Sequence, residues 1–280
     1  PVACDLVMAI GSVTAFMAAT IAMTQFDLKR IIAYSTMSQL GFMFVACGAS
    51  AYNPAMFHLF THAFFKALLF LGAGIVIHEL AGEQDLRRMG GLRRLLPFTL
   101  LAMVIGSLAL SGIPGFAGYY SKEAILSAIH ASDQATAPVA FLLLALTVPL
   151  TAFYSWRLMF AVFFGAPRQG DQGPANVHHD VDRHEHRPVP LMVLTVGALA
   201  VATLVLGVIG VAVAELGLTV PGLGNEAVFW QQTLTMLSDP SPLPLGWRIA
   251  LPVMGLGGMA AAFAAYVLWP DLPTWVAAMM

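Results

Sequence analysis

Apolar residues in this chain neither alternate nor keep to one helical face; they come in long unbroken runs separated by short polar stretches. Runs at 6–25, 31–50, 55–80, 138–165, 189–213 and 247–269 each reach the roughly 20 residues that an α-helix needs to cross a hydrocarbon layer. A seventh run, 97–110, is shorter. It is interrupted by Ser111-Gly112-Ile113-Pro114-Gly115-Phe116-Ala117-Gly118, and a helical pattern resumes over 119–126. Glycine and proline at that density predict either a discontinuous helix over about 97–130 or a plain turn between two helices. A break at membrane depth survives only where it is packed in protein or lines a wet cavity. The pattern as a whole predicts an all-α, polytopic transmembrane helical bundle of about seven spans.

The polar stretches between the runs differ in character. Asp27-Leu28-Lys29-Arg30 joins the first two, and Asn53-Pro54 opens the third with proline at a tolerated first-turn position. The loop 81–96 carries Arg87, Arg88, Arg93 and Arg94 around Gly90-Gly91, and the loop 167–188 contains His178, His179, His184 and His186 among charged neighbours. Those histidines lack a tetrahedral ligand pattern, so a solvated loop is the better reading than a metal site. The connection 215–245 has room for a short interfacial helix at 225–238 around Trp230. Basic residues fall on every second connection, which by the positive-inside rule puts those connections and the C-terminus in the cytoplasm. Tyr154-Ser155-Trp156-Arg157 reads as an interfacial anchor, with Arg157 as a buried counter-charge the alternative.

Composition sharpens the picture without changing it. Of 280 residues, 59% are hydrophobic and 10% charged, against about 25% charged in soluble domains, and the mean hydropathy is +0.79. The net charge of −2 and the lack of a basic, aromatic-interleaved patch leave no case for nucleic acid. Cys4 and Cys47 have no zinc-like or disulfide-framework spacing. No nucleotide loop, flavin or nicotinamide fingerprint, cluster-binding cysteine set or nucleophile elbow is present, so redox or hydrolytic chemistry on the chain itself is not expected. Pro1 opens almost directly into a hydrophobic run without an initiating Met, which leads us to expect a fragment or a truncated end.

Candidate chemistry concentrates at 57–71. There His58, His62 and Lys66 recur at i, i+4 and i+8 on an otherwise apolar helix, drifting about 80° around it and rising about 12 Å. A lysine at a helix centre costs about 3 kcal/mol to insert, and such groups mark ion or proton paths facing a protein interior. The bland alternative is two core histidines and a snorkelling lysine. The chain's three lysines, Lys29, Lys66 and Lys122, all lie in or against apolar runs, and Glu123 follows Lys122. A chain of such groups can pass a proton stepwise, with Thr61, Tyr119, Tyr120 and Ser121 ordering water between them.

The stretches 27–41, 57–71, Gly90-Gly91-Leu92-Arg93 and 112–126 together resemble the antiporter-like, proton-conducting membrane subunits of respiratory complex I, the NADH–quinone oxidoreductase. The wording His-Leu-Phe-Thr-His-Ala-Phe-Phe-Lys is most similar to the largest and most distal of them, the subunit L family. The resemblance implies that residues 1–165 are the second of two inverted five-helix repeats, followed by a polar cytoplasmic loop at 166–188. Two further transmembrane helices and their connection would fill 189–280. It implies a proton relay in which Lys66 is central, His58 and His62 bridge, and Lys122 with Glu123 serves the exit half-channel. Lys29 would stand at the cytoplasmic end. It further implies a bacterial inner-membrane location, a neighbouring antiporter-like subunit as partner, and no cofactor on this chain, with flavin, iron–sulfur clusters and quinone on other subunits. The family's first repeat and its long lateral helix have no counterpart in these residues. A large subunit of an Mrp-type cation/proton antiporter, or of a membrane-bound hydrogenase, shares the motifs and is the alternative.

Overall fold

The computed structural model describes residues 2–165, 190–214 and 242–269. Eight α-helices are seen there: α1 (Val2–Thr24), α2 (Leu28–Gly48), α3 (Tyr52–Glu79), α4 (Pro97–Ser111), α5 (Ala117–His130), α6 (Ala137–Met159), α7 (Pro190–Ala214) and α8 (Leu245–Phe263). Two of them run on into single π-helical turns, α6 through Phe160–Phe164 and α8 through Ala264–Leu268. Six helices are long and apolar enough to cross a membrane, while α4 is too short to do so alone. The His-rich loop, the expected helix at 225–238 and the tail at 272–280 lie outside the described residues.

The seventh crossing is shared by α4 and α5. Along α7, Gly197 abuts the Phe98 ring, Gly207 the backbone at Gly115 and Phe116, and Gly210 the Tyr120 ring. On the other side, α3 meets Met103 at Gly72, Gly106 at Leu69, and Ser121 at His58 and Thr61. Both neighbours therefore pass α4, the break and α5 in sequence order, which a hairpin would not allow. The interruption is a broken helix, not a turn between antiparallel helices. It ends α4 with Gly112 at φ 73°, a left-handed cap that favours glycine, and Ile113 N–H reaches the Leu108 carbonyl at 3.3 Å.

Helix ends segregate by charge. Asp27 caps α2 by accepting from Arg30 N–H at 2.8 Å. Around it the loop after α3 docks through Leu28 N–H to Gln84 O (2.9 Å) and Leu86 N–H to Phe26 O (2.8 Å). The same loop reaches the π turn after α6, where Leu92 and Arg93 N–H groups donate to the Val162 and Phe163 carbonyls. At the other end Gln134 Nε2 donates to Gly48 O and Thr136 Oγ1 to Asp5. The two basic connections described, at 27–30 and 81–96, thus share one end of the bundle, as the alternation of charge predicts.

Small residues set the spacing of α1 and α2. A Cβ at Gly41 would stand 2.7 Å from Ala15 N and Gly11 O, and one at Gly48 2.7 Å from Met8 N. Backbones this close gain dispersion contacts that lipid cannot offer. Buried apolar side chains form two clusters. One gathers Ile32, Phe65, Leu68, Leu110 and Leu158 towards the basic end, and the other Met8, Phe42, Ile125, Leu144 and Val148 towards the opposite end. On α2, α3 and the broken helix alike, most of the buried side chains between the clusters are polar.

Candidate functional site

That polar layer holds most of the residues singled out from sequence. Helix α3 carries His58, His62 and Lys66 on its buried face, and α5 carries Ser121 and Lys122; all five are at most 5% exposed. Lys66 Nζ crosses to α2, donating to the Ile32 carbonyl at 3.0 Å and to the Ser35 hydroxyl. His58 Nδ1 shares a 2.8 Å hydrogen bond with Ser121 Oγ, which also receives Thr61 Oγ1 at 3.2 Å. The His58 and His62 rings lie 5.9 Å apart, and His62 meets Phe65 edge-on at 5.3 Å.

Lys122 owes its position to the helix break. Leu110 O would ordinarily accept from the amide four residues on, but Pro114 has none. Lys122 Nζ donates to it instead, at 2.5 Å, with its stem against Gly112. The ammonium also lies 5.7 Å from the Phe42 ring centroid, and the His58 ring is 6.4 Å from the same ring. Among the described residues neither buried ammonium has a carboxylate at ion-pair distance. Both are held by neutral oxygens, so each charge is solvated without being fixed by an opposite one.

Several polar atoms in the same layer have no protein partner among the described residues: Ser38 Oγ, both amide atoms of Gln39, Ser111 Oγ, and the Nε2 atoms of His58 and His62. Leaving each dry would cost about 1–3 kcal/mol, so the layer is suited to bound water. Among the described residues no group of three or more His, Cys, Asp or Glu is placed to hold a metal ion.

Two predicted site residues sit apart. Lys29 is exposed in the first turn of α2, bordering a surface depression with Gly74, His78 and Met192. The Glu123 carboxylate pairs with Arg248 Nε of α8 at 2.8 Å. Arg248 was not singled out from sequence, because a lone arginine in the first turn of an apolar helix looks like an ordinary boundary residue. Ser35 is one of three hydroxyl residues in Ser35-Thr36-Met37-Ser38, and nothing in the sequence distinguishes it from the other two. The anchor reading of Arg157 is corrected: it is 3% exposed, donates to the Met23 carbonyl, and faces the Phe26 and Tyr266 rings. Two aromatic faces and a helix-end carbonyl make an interior site for a guanidinium.

Comparison with known proteins bears on this geometry directly. A family model described as "NADH:quinone oxidoreductase/Mrp antiporter, TM" matches residues 1–148, the stretch that holds every buried lysine and histidine above. The chain belongs to this family. Among NADH:quinone oxidoreductase/Mrp antiporter relatives, it is 48% identical to NADH-quinone oxidoreductase subunit L of Rhodobacter capsulatus, over 75% of this chain and 29% of that one. It is 40% identical to NADH-ubiquinone oxidoreductase chain 5 of Phytophthora infestans, over 93% of this chain and 38% of the relative. Subunit L of Neisseria meningitidis is 35% identical, over 98% and 43% respectively. The chain therefore spans less than half the length of each of these curated relatives. A chain in a solved structure of the Mrp complex from Dietzia sp. has the same fold, with a TM-score of 0.67 over 94% of this chain, 27% of that one, at 24% identity.

Proposed function

We propose that this chain is part of a proton-translocating membrane subunit of NADH–quinone oxidoreductase. In this reading protons move through Lys66, His62, His58 and Lys122 to Glu123, with Lys29 at the cytoplasmic end, driven by electron transfer elsewhere in the complex. The observation that carries it is the pair of buried lysines, each solvated by neutral oxygens and linked across α3 and α5 by the His58–Ser121 bond. Buried ionisable groups at membrane depth mark ion or proton paths that face a protein interior, and the unpartnered hydroxyls and imidazole nitrogens beside these lysines suit a hydrated path.

The enzyme assignment is as a subunit of the translocase, with flavin, iron–sulfur and quinone chemistry on other subunits. Its partners would be the other membrane subunits of complex I, above all a neighbouring antiporter-like one, in a bacterial inner membrane with the C-terminus in the cytoplasm. Residues 1–165 would form the second inverted five-helix repeat, followed by the 166–188 loop and the helices of 189–280. A subunit of an Mrp-type antiporter or membrane-bound hydrogenase is the second reading, kept because the matching family spans both oxidoreductase and Mrp members. Identities of 35–48% to subunit L and chain 5 favour the first.

The test is Lys66→Ala in the full-length subunit, with proton pumping by the assembled complex in vesicles scored beside NADH–quinone electron transfer. We expect pumping to fall at least about ten-fold, the equivalent of about 1.4 kcal/mol in barrier, and turnover to fall with it. An assembled variant that pumps like wild type would overturn the reading.

A further inference from the structure

A cavity opens beside the helix break on the side away from α3, lined by Ser111, Gly112, Tyr119, Lys122, Glu123 and Arg248. It brings together the buried end of the broken helix and the first turn of α8, a helix beyond the 1–148 stretch that the family model covers. Exposure is graded across it. The Lys122 residue is 4% exposed, the Glu123 side chain 17% and the Arg248 side chain 38%. Trp247, next to Arg248, packs edge-on against Phe141 near the start of α6, so the outer side of the cavity lies at the end opposite the arginine-bearing loop.

Glu123 is the next residue after Lys122, yet its carboxylate is turned to Arg248, and the Lys122 ammonium is bound to Leu110 O. Two groups that would lock together if they met are thus held apart while lining one space. From this we infer that Arg248 is a positioning residue for proton release. It holds the Glu123 carboxylate at the outer side of the cavity that Lys122 also lines, available to receive a proton and too well bound to neutralise Lys122 permanently.

The step balances without any further reagent. The Lys122 ammonium gives a proton to the Glu123 carboxylate, leaving a neutral amine and a neutral carboxylic acid. The acid, no longer attracted to the guanidinium, gives that proton to water on the outer side, and the carboxylate returns to Arg248. This inference rests on the relay reading above, since it needs a proton to arrive at Lys122.

The experiment measures turnover-driven proton release in vesicles holding the assembled complex, with full-length subunits carrying Arg248→Gln, Arg248→Lys, Glu123→Gln, the Glu123→Gln/Arg248→Gln pair, and Lys122→Ala. Arg248→Gln is expected to slow release about ten-fold, and Arg248→Lys to restore it to within about two-fold of wild type, because a cation is kept. In the Glu123→Gln background, Arg248→Gln should add nothing further, as expected of two residues acting as a unit. Wild-type release in assembled Arg248→Gln overturns the inference, and so does full additivity of the two substitutions. If Arg248→Gln does not assemble, release by Arg248→Lys decides: at the Glu123→Gln level it overturns the inference, near wild type it supports it. Wild-type release in Lys122→Ala would instead sink the relay reading itself; loss there with an unaffected Arg248→Gln sinks only the role of Arg248.

Discussion

Ser121 Oγ and His58 Nδ1, 2.8 Å apart, tie the second half of the broken helix to the middle of α3. The bond joins the element that carries Lys122 to the element that carries Lys66, and Thr61 completes it from the α3 side. Ser121→Ala leaves a fully buried imidazole nitrogen unpaired, at a cost of about 1–3 kcal/mol. We expect the assembled complex to retain its subunits and to pump about ten-fold more slowly, in line with a barrier rise of about 1.4 kcal/mol. Vesicle acidification rates normalised to subunit content check this. Unchanged rates would place the hydrogen bond outside the path.

At the break Gly118 is packed directly against the Ala109 carbonyl. A Cβ on Gly118 would overlap the Ala109 carbonyl, which is rigid backbone. Gly118→Ala is therefore expected to destabilise by about 3 kcal/mol or more, at the upper end of overpacking costs. Gly257→Ala is the matched control, since a methyl there meets nothing within 4 Å; in a helix interior it should be neutral or stabilising by about 0.5–1 kcal/mol. Thermal melting of the detergent-solubilised complex distinguishes the two. Equal melting points would mean that the break is not packed as described.

The order of the loop after α3 should depend on pH in one direction. Asp85 is held below the ordinary carboxylate range chiefly by the Arg87 side chain. Glu83 is lowered first by the Asp85 amide, with the Gln84 amide and Arg88 adding to it. Folded values below the unfolded ones mean that the stabilisation is complete above the usual carboxylate values of about 4. It is lost as pH falls through the lowered folded values. Hydrogen exchange at the Gln84, Asp85 and Arg87 amides, corrected for intrinsic rates, should show constant protection from pH 7 to 5 and loss in more acidic solution. Asp85→Asn should flatten the Arg87 response; an identical acid transition in that variant would assign it to another group.

What the sequence made legible follows from what lipid demands. Long apolar runs and their charged punctuation forced the crossings, because an unpaired backbone cannot survive in hydrocarbon. Lys66, His58 and His62 stood out because such residues are rare in those runs. Long-range pairings were not legible. Whether 111–118 was a break or a turn hung on α3 and α7, which flank it in space and are far from it in sequence. Arg157 looked like a boundary residue because its ring partners, Phe26 and Tyr266, lie over 100 residues away on either side. Glu123 was grouped with Lys122 because the two are adjacent in sequence, and nothing there showed that its cation comes from α8.

The loop after α3 has a mechanical consequence. Backbone hydrogen bonds fasten it to the start of α2, to Phe26 and to the last turn after α6, while the opposite end of the bundle is joined by side-chain contacts such as Gln134 to Gly48 and Thr136 to Asp5. Among the described residues the helices are riveted at one rim and merely latched at the other, like the sticks of a fan. Any breathing of the bundle should therefore splay the latched rim, where the Glu123–Arg248 pair sits, and leave the arginine-rich rim closed.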